Sequence, residues 1–160
     1  MDTFETYFNS ALHFLSFRSR SEKEVIDNLK KKKVNPAIIE KIINKLKEHN
    51  FINDVDFAKM WIESRTRFKP RSIKLIILEL KQKGISQEII DTIIHPPAGE
   101  SLIIQNDLEQ AKTLVRKKLP RYQNLTKQEL YQKLGGFLAR RGFNWDTIKQ
   151  SIDEVMDKGV

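Results

Sequence analysis

The chain is expected to be all-α, built as three tandem three-helix repeats, and three observations carry that expectation. Glycine occurs six times and proline five times in 160 residues, while Lys, Glu, Leu and Ile dominate, a helix-forming balance. Apolar residues recur at i, i+4 and i+7 along most of the chain, the spacing of amphipathic helices. Finally, the pattern returns. ALHFLSFRSR at 11–20 and AKMWIESRTR at 58–67 pair Ala11 with Ala58, Phe14 with Trp61, Leu15 with Ile62, Arg18 with Arg65 and Arg20 with Arg67, all at an offset of 47. Leu29, Leu80 and Leu138 are followed five residues on by Val34, Ile85 and Phe143, ten on by Ile39, Ile90 and Ile148, and fourteen on by Ile43, Ile94 and Ile152. Periodic aliphatics belong to any helical core, but one spacing shared in three places is the mark of a repeat. The expected units are 1–53, 54–98 and 99–160.

Within the first unit, Phe4, Phe8, Ala11 and Leu15 form one stripe of a helix over 4–17. Ser21 followed by Glu24 has the form of a capping box, in which serine and glutamate each satisfy a free amide at the helix start. Val25, Ile26 and Leu29 line the second helix, which is expected to end near Lys33. Asn35 before Pro36 restarts the chain as N-cap and first helical residue. Ile38, Ile39, Ile42, Ile43 and Leu46 face inward on the third helix, and NFIND at 50–54 closes the unit with a new cap at Asn53 or Asp54. The second unit is expected to hold helices near 55–67, 70–83 and 87–94, and the third near 102–118, 127–141 and 145–157. HPPAGES at 95–101 reads as the linker between them. Gly135 and Gly136 inside a helical pattern mark a close helix approach or a kink.

Charge is unevenly spread. The net is +8, yet residues 12–33, 65–83 and 112–141 together carry +18 and the remainder −10. Each basic segment contains the second helix of a unit and the approach to it. A single run such as Lys30 to Lys33 is accounted for by cations favouring a helix C-terminus; three in matching places point to a basic track for a polyanion such as nucleic acid. On the second helix of unit two, 3.6 periodicity aligns Arg71, Lys74 and Lys81 around Leu78, with Ile73, Ile76, Ile77 and Leu80 inward.

Catalysis finds no motif. His13, His49 and His95 have no metal-ligand spacing, no phosphate-cradling loop exists, and Asp54 with Asp56 sit where a helix start favours acids. No cofactor is expected. There is no cysteine and no apolar run long enough for a membrane span, which suggests a cytoplasmic protein.

Three stretches, ALHFLSFRSRSEKEVIDNLKKK, FINDVDFAKMWIESRTRFKPRSIKLIILELKQKGIS and KLGGFLARRGFNWDTI, resemble in order the signature stretches of the RecX family. Asp54, Phe57 and Ala58, then Arg65, Pro70, Ile73, Glu79, Leu80, Lys83, Gly84 and Ile85, fall on the family's central motif, and Arg141, Gly142 and Phe143 on its later R-G-F. Asn53, Lys33, Lys69 and Gly136 depart from it. The resemblance implies an elongated, curved stack of repeats that binds RecA filaments in their groove, limits their growth or promotes their disassembly, and so damps ATP hydrolysis, strand exchange and co-protease activity, with no catalytic residue. A monomer with a basic face that also touches DNA, single- or double-stranded, is the expected form. Candidate contacts are Arg18, Arg20, Lys30 and Lys31 in unit one and Arg65, Arg67, Lys69, Arg71, Lys74 and Lys81 in unit two. Arg140 and Arg141 complete the set in unit three. The alternative is a helical module that binds nucleic acid without RecA, although few Asn or Gln stand at helix starts to read bases.

Overall fold

The computed structural model describes residues 3–95 and 107–158. Among the described residues all regular structure is helical: α1 (Thr3–Phe17), α2 (Glu22–Lys31), α3 (Pro36–Glu48), α4 (Asp54–Phe68), α5 (Ile73–Gln82), α6 (Gln87–Ile94), α7 (Asp107–Lys118), α8 (Lys127–Arg140) and α9 (Trp145–Lys158), with a 3-10 turn at Leu119–Tyr122. The linker at 96–101 and the first residues expected in the seventh helix, 102–106, lie outside the described residues.

Caps explain most boundaries. The Ser21 hydroxyl accepts from the Glu24 amide at 3.2 Å while the Ser21 amide donates to the Glu24 carboxylate at 2.9 Å, and Thr126 with Glu129 repeats this box on α8. Asn35 accepts from Ala37 at 2.8 Å with Pro36 in the first turn. Asn53, rather than Asp54, caps α4, accepting from Asp56 at 3.1 Å. α5 starts at Ile73, three residues later than expected, because Ser72 is its cap and accepts from Leu75 at 3.2 Å. α8 runs through Gly135 and Gly136 without a break. A methyl on Gly135 would lie 3.5 Å from the Trp145 ring, an ordinary van der Waals contact, so this glycine marks neither a kink nor an approach too close for a side chain.

The residues group into two compact units, one running up to Met60 together with Leu80–Ile93, the other comprising Trp61–Glu79 and the chain from Ile94 onward. In the first, Ala11, Val25, Leu29, Ile39, Ile42 and Leu46 form a shared core. In the second, Ala111, Val115, Leu134, Leu138, Ile148 and Ile152 do so. Each of the Val, Leu and Ile side chains among them contributes about 1.5–3 kcal/mol on full burial.

One device recurs at the starts of α2 and α5. The Ser21 hydroxyl donates to the Lys83 carbonyl at 2.7 Å, and the Ser72 amide donates to the Arg141 carbonyl at 3.0 Å. Gly84 (φ +80°) and Gly142 (φ +90°) follow those two carbonyl residues. A Cβ on Gly84 would stand 2.5 Å from the Lys23 Cβ, and one on Gly142 would overlap the Ser72 hydroxyl and lie 3.0 Å from the Leu75 Cβ. Asp54 accepts from the Glu22 amide, and Asp107 from the Ile73 amide, each at 2.9 Å. Asp54 therefore serves the first free N–H of another helix, where an anion is favoured.

Candidate polyanion interface

Two carboxylates sort the arginines. Glu79, on α5, accepts from the Trp61 indole at 2.9 Å and from Arg65 at 3.0 Å, and its other oxygen pairs with Arg71. Arg65 also lies over the Trp61 ring at 4.2 Å. Burial pushes the Glu79 carboxyl up, but the Trp61, Arg65 and Arg71 donors hold it below the usual carboxylate range. Arg71 is therefore not part of an exposed stripe with Lys74 and Lys81. It precedes α5, so helical periodicity does not place it, and its side chain is only 17% exposed. Lys74, Leu78 and Lys81 do share an outer face, while Ile76 and Leu80 are buried and Ile73 and Ile77 half-buried.

In the other unit Glu24 accepts from Arg18 at 2.6 Å and Lys83 at 2.9 Å. Burial raises its carboxyl pKa, yet hydrogen bonds from Arg18, Lys83 and the Ser21 amide outweigh that and hold it at about 2. Arg20 covers the Phe14 ring at 4.0 Å and donates to the Phe14 carbonyl at 3.4 Å. Arg67 pairs with Glu63 one turn back at 3.4 Å. Each of the opening arginines thus has a local structural partner. Lys30, Lys31 and Arg140 are exposed.

Three of the sequence candidates come together: Lys69, Arg71 and Arg141 line an open cleft of about 350 Å³ with Phe68, Pro70, Leu114, Lys117, Lys118 and Phe137. Pro70 is buried and separates α4 from α5, which turns Phe68 and Lys69 toward the last turns of α7 and α8. The Phe137 ring forms part of the wall, with Lys118 4.7 Å and Arg141 5.1 Å from its centre. Phe68 is 71% exposed. Five cations and no carboxylate line the cleft. Arg71 is neutralised by Glu79 at its edge, leaving four full positive charges. These outweigh the roughly half-unit negative ends of the helices that finish there. Such an arrangement can hold an anion that also has an apolar or aromatic part. Sequence reading missed Phe68, Lys117, Lys118 and Phe137; the two lysines lay inside a recognised basic segment, but only the tertiary fold brings 68–71, 114–118 and 137–141 together. Lys112, counted in the same segment, is instead buried between Glu109 and Glu154.

Among the described residues no helix is long and apolar enough to cross a membrane. The molecule is thus a helical protein of tandem three-helix domains with a basic cleft in its second unit. Its sequence matches domain models described as the first, second and third three-helix domains of RecX, over residues 8–46, 53–93 and 105–152 respectively, and the chain belongs to the RecX family. It is 32% identical over 148 residues to the regulatory protein RecX of Bacillus subtilis (strain 168), which covers 92% of this chain and 54% of that protein. The regulatory protein RecX of Finegoldia magna is 34% identical, over 89% of this chain and 68% of its own length. The chain spans about half the length of the Bacillus and Listeria relatives it matches. The crystal structure of RecX from Lactobacillus salivarius superposes with a TM-score of 0.75 at 29% identity, covering 95% of this chain and 96% of the other.

Proposed function

We propose that this protein binds filaments of RecA on DNA and restrains their extension, and with it their ATPase and recombination activity, acting as a cytoplasmic monomer without catalytic residues. Membership of a family whose relatives carry the name regulatory protein supports the reading. The observation that carries it furthest is the cleft, where four cations without carboxylate partners among the described residues await an acidic groove or phosphate. The repeats at 1–53, 54–98 and 99–160 would each contribute contacts. A double reversal, Lys69→Glu with Lys117→Glu, changes two exposed side chains and leaves the core intact. It is expected to raise by about tenfold or more the concentration needed to inhibit the DNA-dependent ATPase of RecA. Undiminished inhibition by a folded double variant would sink the proposal for this surface. The same cleft also supports binding to DNA without RecA, and affinity for bare DNA compared with RecA assembled on that DNA separates the two readings.

A further inference from the structure

Phe68 is the last residue of α4 and projects at the rim of the cleft, 71% exposed. No ring or cation lies over it among the described residues, whereas the Phe137 ring is covered by Lys118 and Arg141. The Phe68 ring adds nothing to the core and presents its face beside the cations of the cleft. The cations alone would serve any polyanion. A bare ring among them suits one that brings flat, unpaired π-faces within reach of its phosphates.

We infer that the cleft is a single-stranded nucleic-acid subsite, in which Lys69, Lys117, Lys118 and Arg141 engage the phosphates of a short strand segment and Phe68 stacks on an unpaired base. This rests on the reading of the cleft as a polyanion contact and goes beyond it by naming the strand form. A duplex keeps its bases stacked on one another and offers Phe68 no face, so it would use the cations alone. The cleft volume of about 350 Å³ lies at the small end of ligand clefts. Arg71 stays with Glu79, so strand binding does not require breaking that network.

The test is equilibrium binding of fluorescent oligothymidine to the full chain, measured by anisotropy, beside a strand of equal length made of abasic sites and a duplex of the same length. Phe68→Ala should weaken oligothymidine binding by about tenfold, because stacking supplies a factor of that order per base. It should leave the abasic strand and the duplex unchanged, and Phe68→Trp should restore oligothymidine affinity. Affinity for the strand should fall with salt at a log-log slope of about −3, the release expected from about four phosphates, with the same slope in Phe68→Ala. Equal oligothymidine binding by Phe68→Ala and the parent protein would overturn the inference, as would equal losses on oligothymidine and duplex. Displacement of the strand by a polyglutamate peptide as efficiently as by unlabelled oligothymidine would reassign the cleft to acidic protein. Displacement by an equimolar free nucleoside triphosphate would reassign it to a mononucleotide. If Phe68→Ala behaves like the parent on every strand while Lys69→Glu with Lys117→Glu still abolishes RecA inhibition, the strand assignment falls and the filament reading stands. The converse, a stacking loss with inhibition untouched by the double reversal, separates them the other way.

Discussion

The starts of α2 and α5 share one plan and differ in charge. In both, a buried serine is the cap, an aspartate from a later helix accepts the first helical amide, and a left-handed glycine closes against the turn. The difference lies in the first turn. α2 carries Glu22 and Glu24 there, and α5 carries no acid. In α2, Glu24 takes up the Ser21 amide, Arg18 and Lys83, while Glu22 pairs with Lys47 at 2.9 Å. In α5 the equivalent Ser72 amide has no such carboxylate and donates to the Arg141 carbonyl instead. Arg65 and Arg71 are absorbed by Glu79 farther along the helix, but Lys69 and Arg141 keep their charge and line the cleft. The first turn of α5 thus lacks the acids that take up Arg18, Lys83 and Lys47 in the other unit.

The largest expected effect breaks the shared part of the plan. Gly142→Ala places a side chain in left-handed backbone, where L residues lose about 1–2 kcal/mol, and adds the overlap with Ser72 and Leu75. The expected loss is about 3 kcal/mol, read as a fall of roughly 1–2 M in the urea midpoint. Gly84→Ala should cost a similar amount through Lys23. A loss under about 0.5 kcal/mol at both sites would mean that these close approaches do not support the fold.

Acid should then expose the difference. The folded carboxyl of Glu24 sits at about 2 against an ordinary 4.5, so the unfolded chain takes up its proton first as pH falls. The stabilisation is complete above the ordinary value and is lost between there and about 2. Arg18 is 43% exposed and screened by solvent, which brings the expected contribution to roughly 2 kcal/mol. Glu79 acts with the same sign in the second unit. Melting temperatures of the parent and Glu24→Gln should converge as pH is lowered through this window; parallel curves would remove Glu24 as the source.

How much of this could be read from the chain depends on the range of the interaction. Ser21 with Glu24 and Asn35 with Pro36 are local pairs whose chemistry is complete within four residues, and their helices begin where expected. Pro70 was legible as punctuation, but the start of α5 was set by Ser72 two residues later, whose cap is ordinary and whose second partner, Arg141, lies far along the chain. Arg71 misled because periodicity was extended to a residue outside the helix. The cleft was half visible: Lys69, Arg71 and Arg141 were named, whereas Phe68 and Phe137 lie off the apolar stripes and show their role only when α4, α7 and α8 end together.

A smaller change sharpens the view of the glycines. Lys33 also has a left-handed φ (+59°), at the end of α2, and is exposed there. Lys33→Gly relieves the strain of a Cβ in that conformation and gives back part of it in backbone entropy. The net expected gain is about 0.5–1 kcal/mol in chemical denaturation. A loss would show that the lysine side chain itself supports the helix end.

The smallest effect in stability is expected from Lys74 and Lys81, on the outer face of α5. Both are exposed, and no acid pairs with either among the described residues. Surface charges of this kind contribute within about 0.5 kcal/mol, so Lys74→Glu with Lys81→Glu should leave the melting curve nearly unchanged. Arg71→Glu should not, because it sets a carboxylate against Glu79 inside a half-buried pair. The two variants alter neighbouring cations of similar sequence appearance, and only the structure tells them apart. Neither Lys74 nor Lys81 lines the cleft, so strand affinity should fall far less in this double variant than in Lys69→Glu with Lys117→Glu at the same salt. Equal losses would extend the contact surface along α5 and restore the basic track over the single cleft.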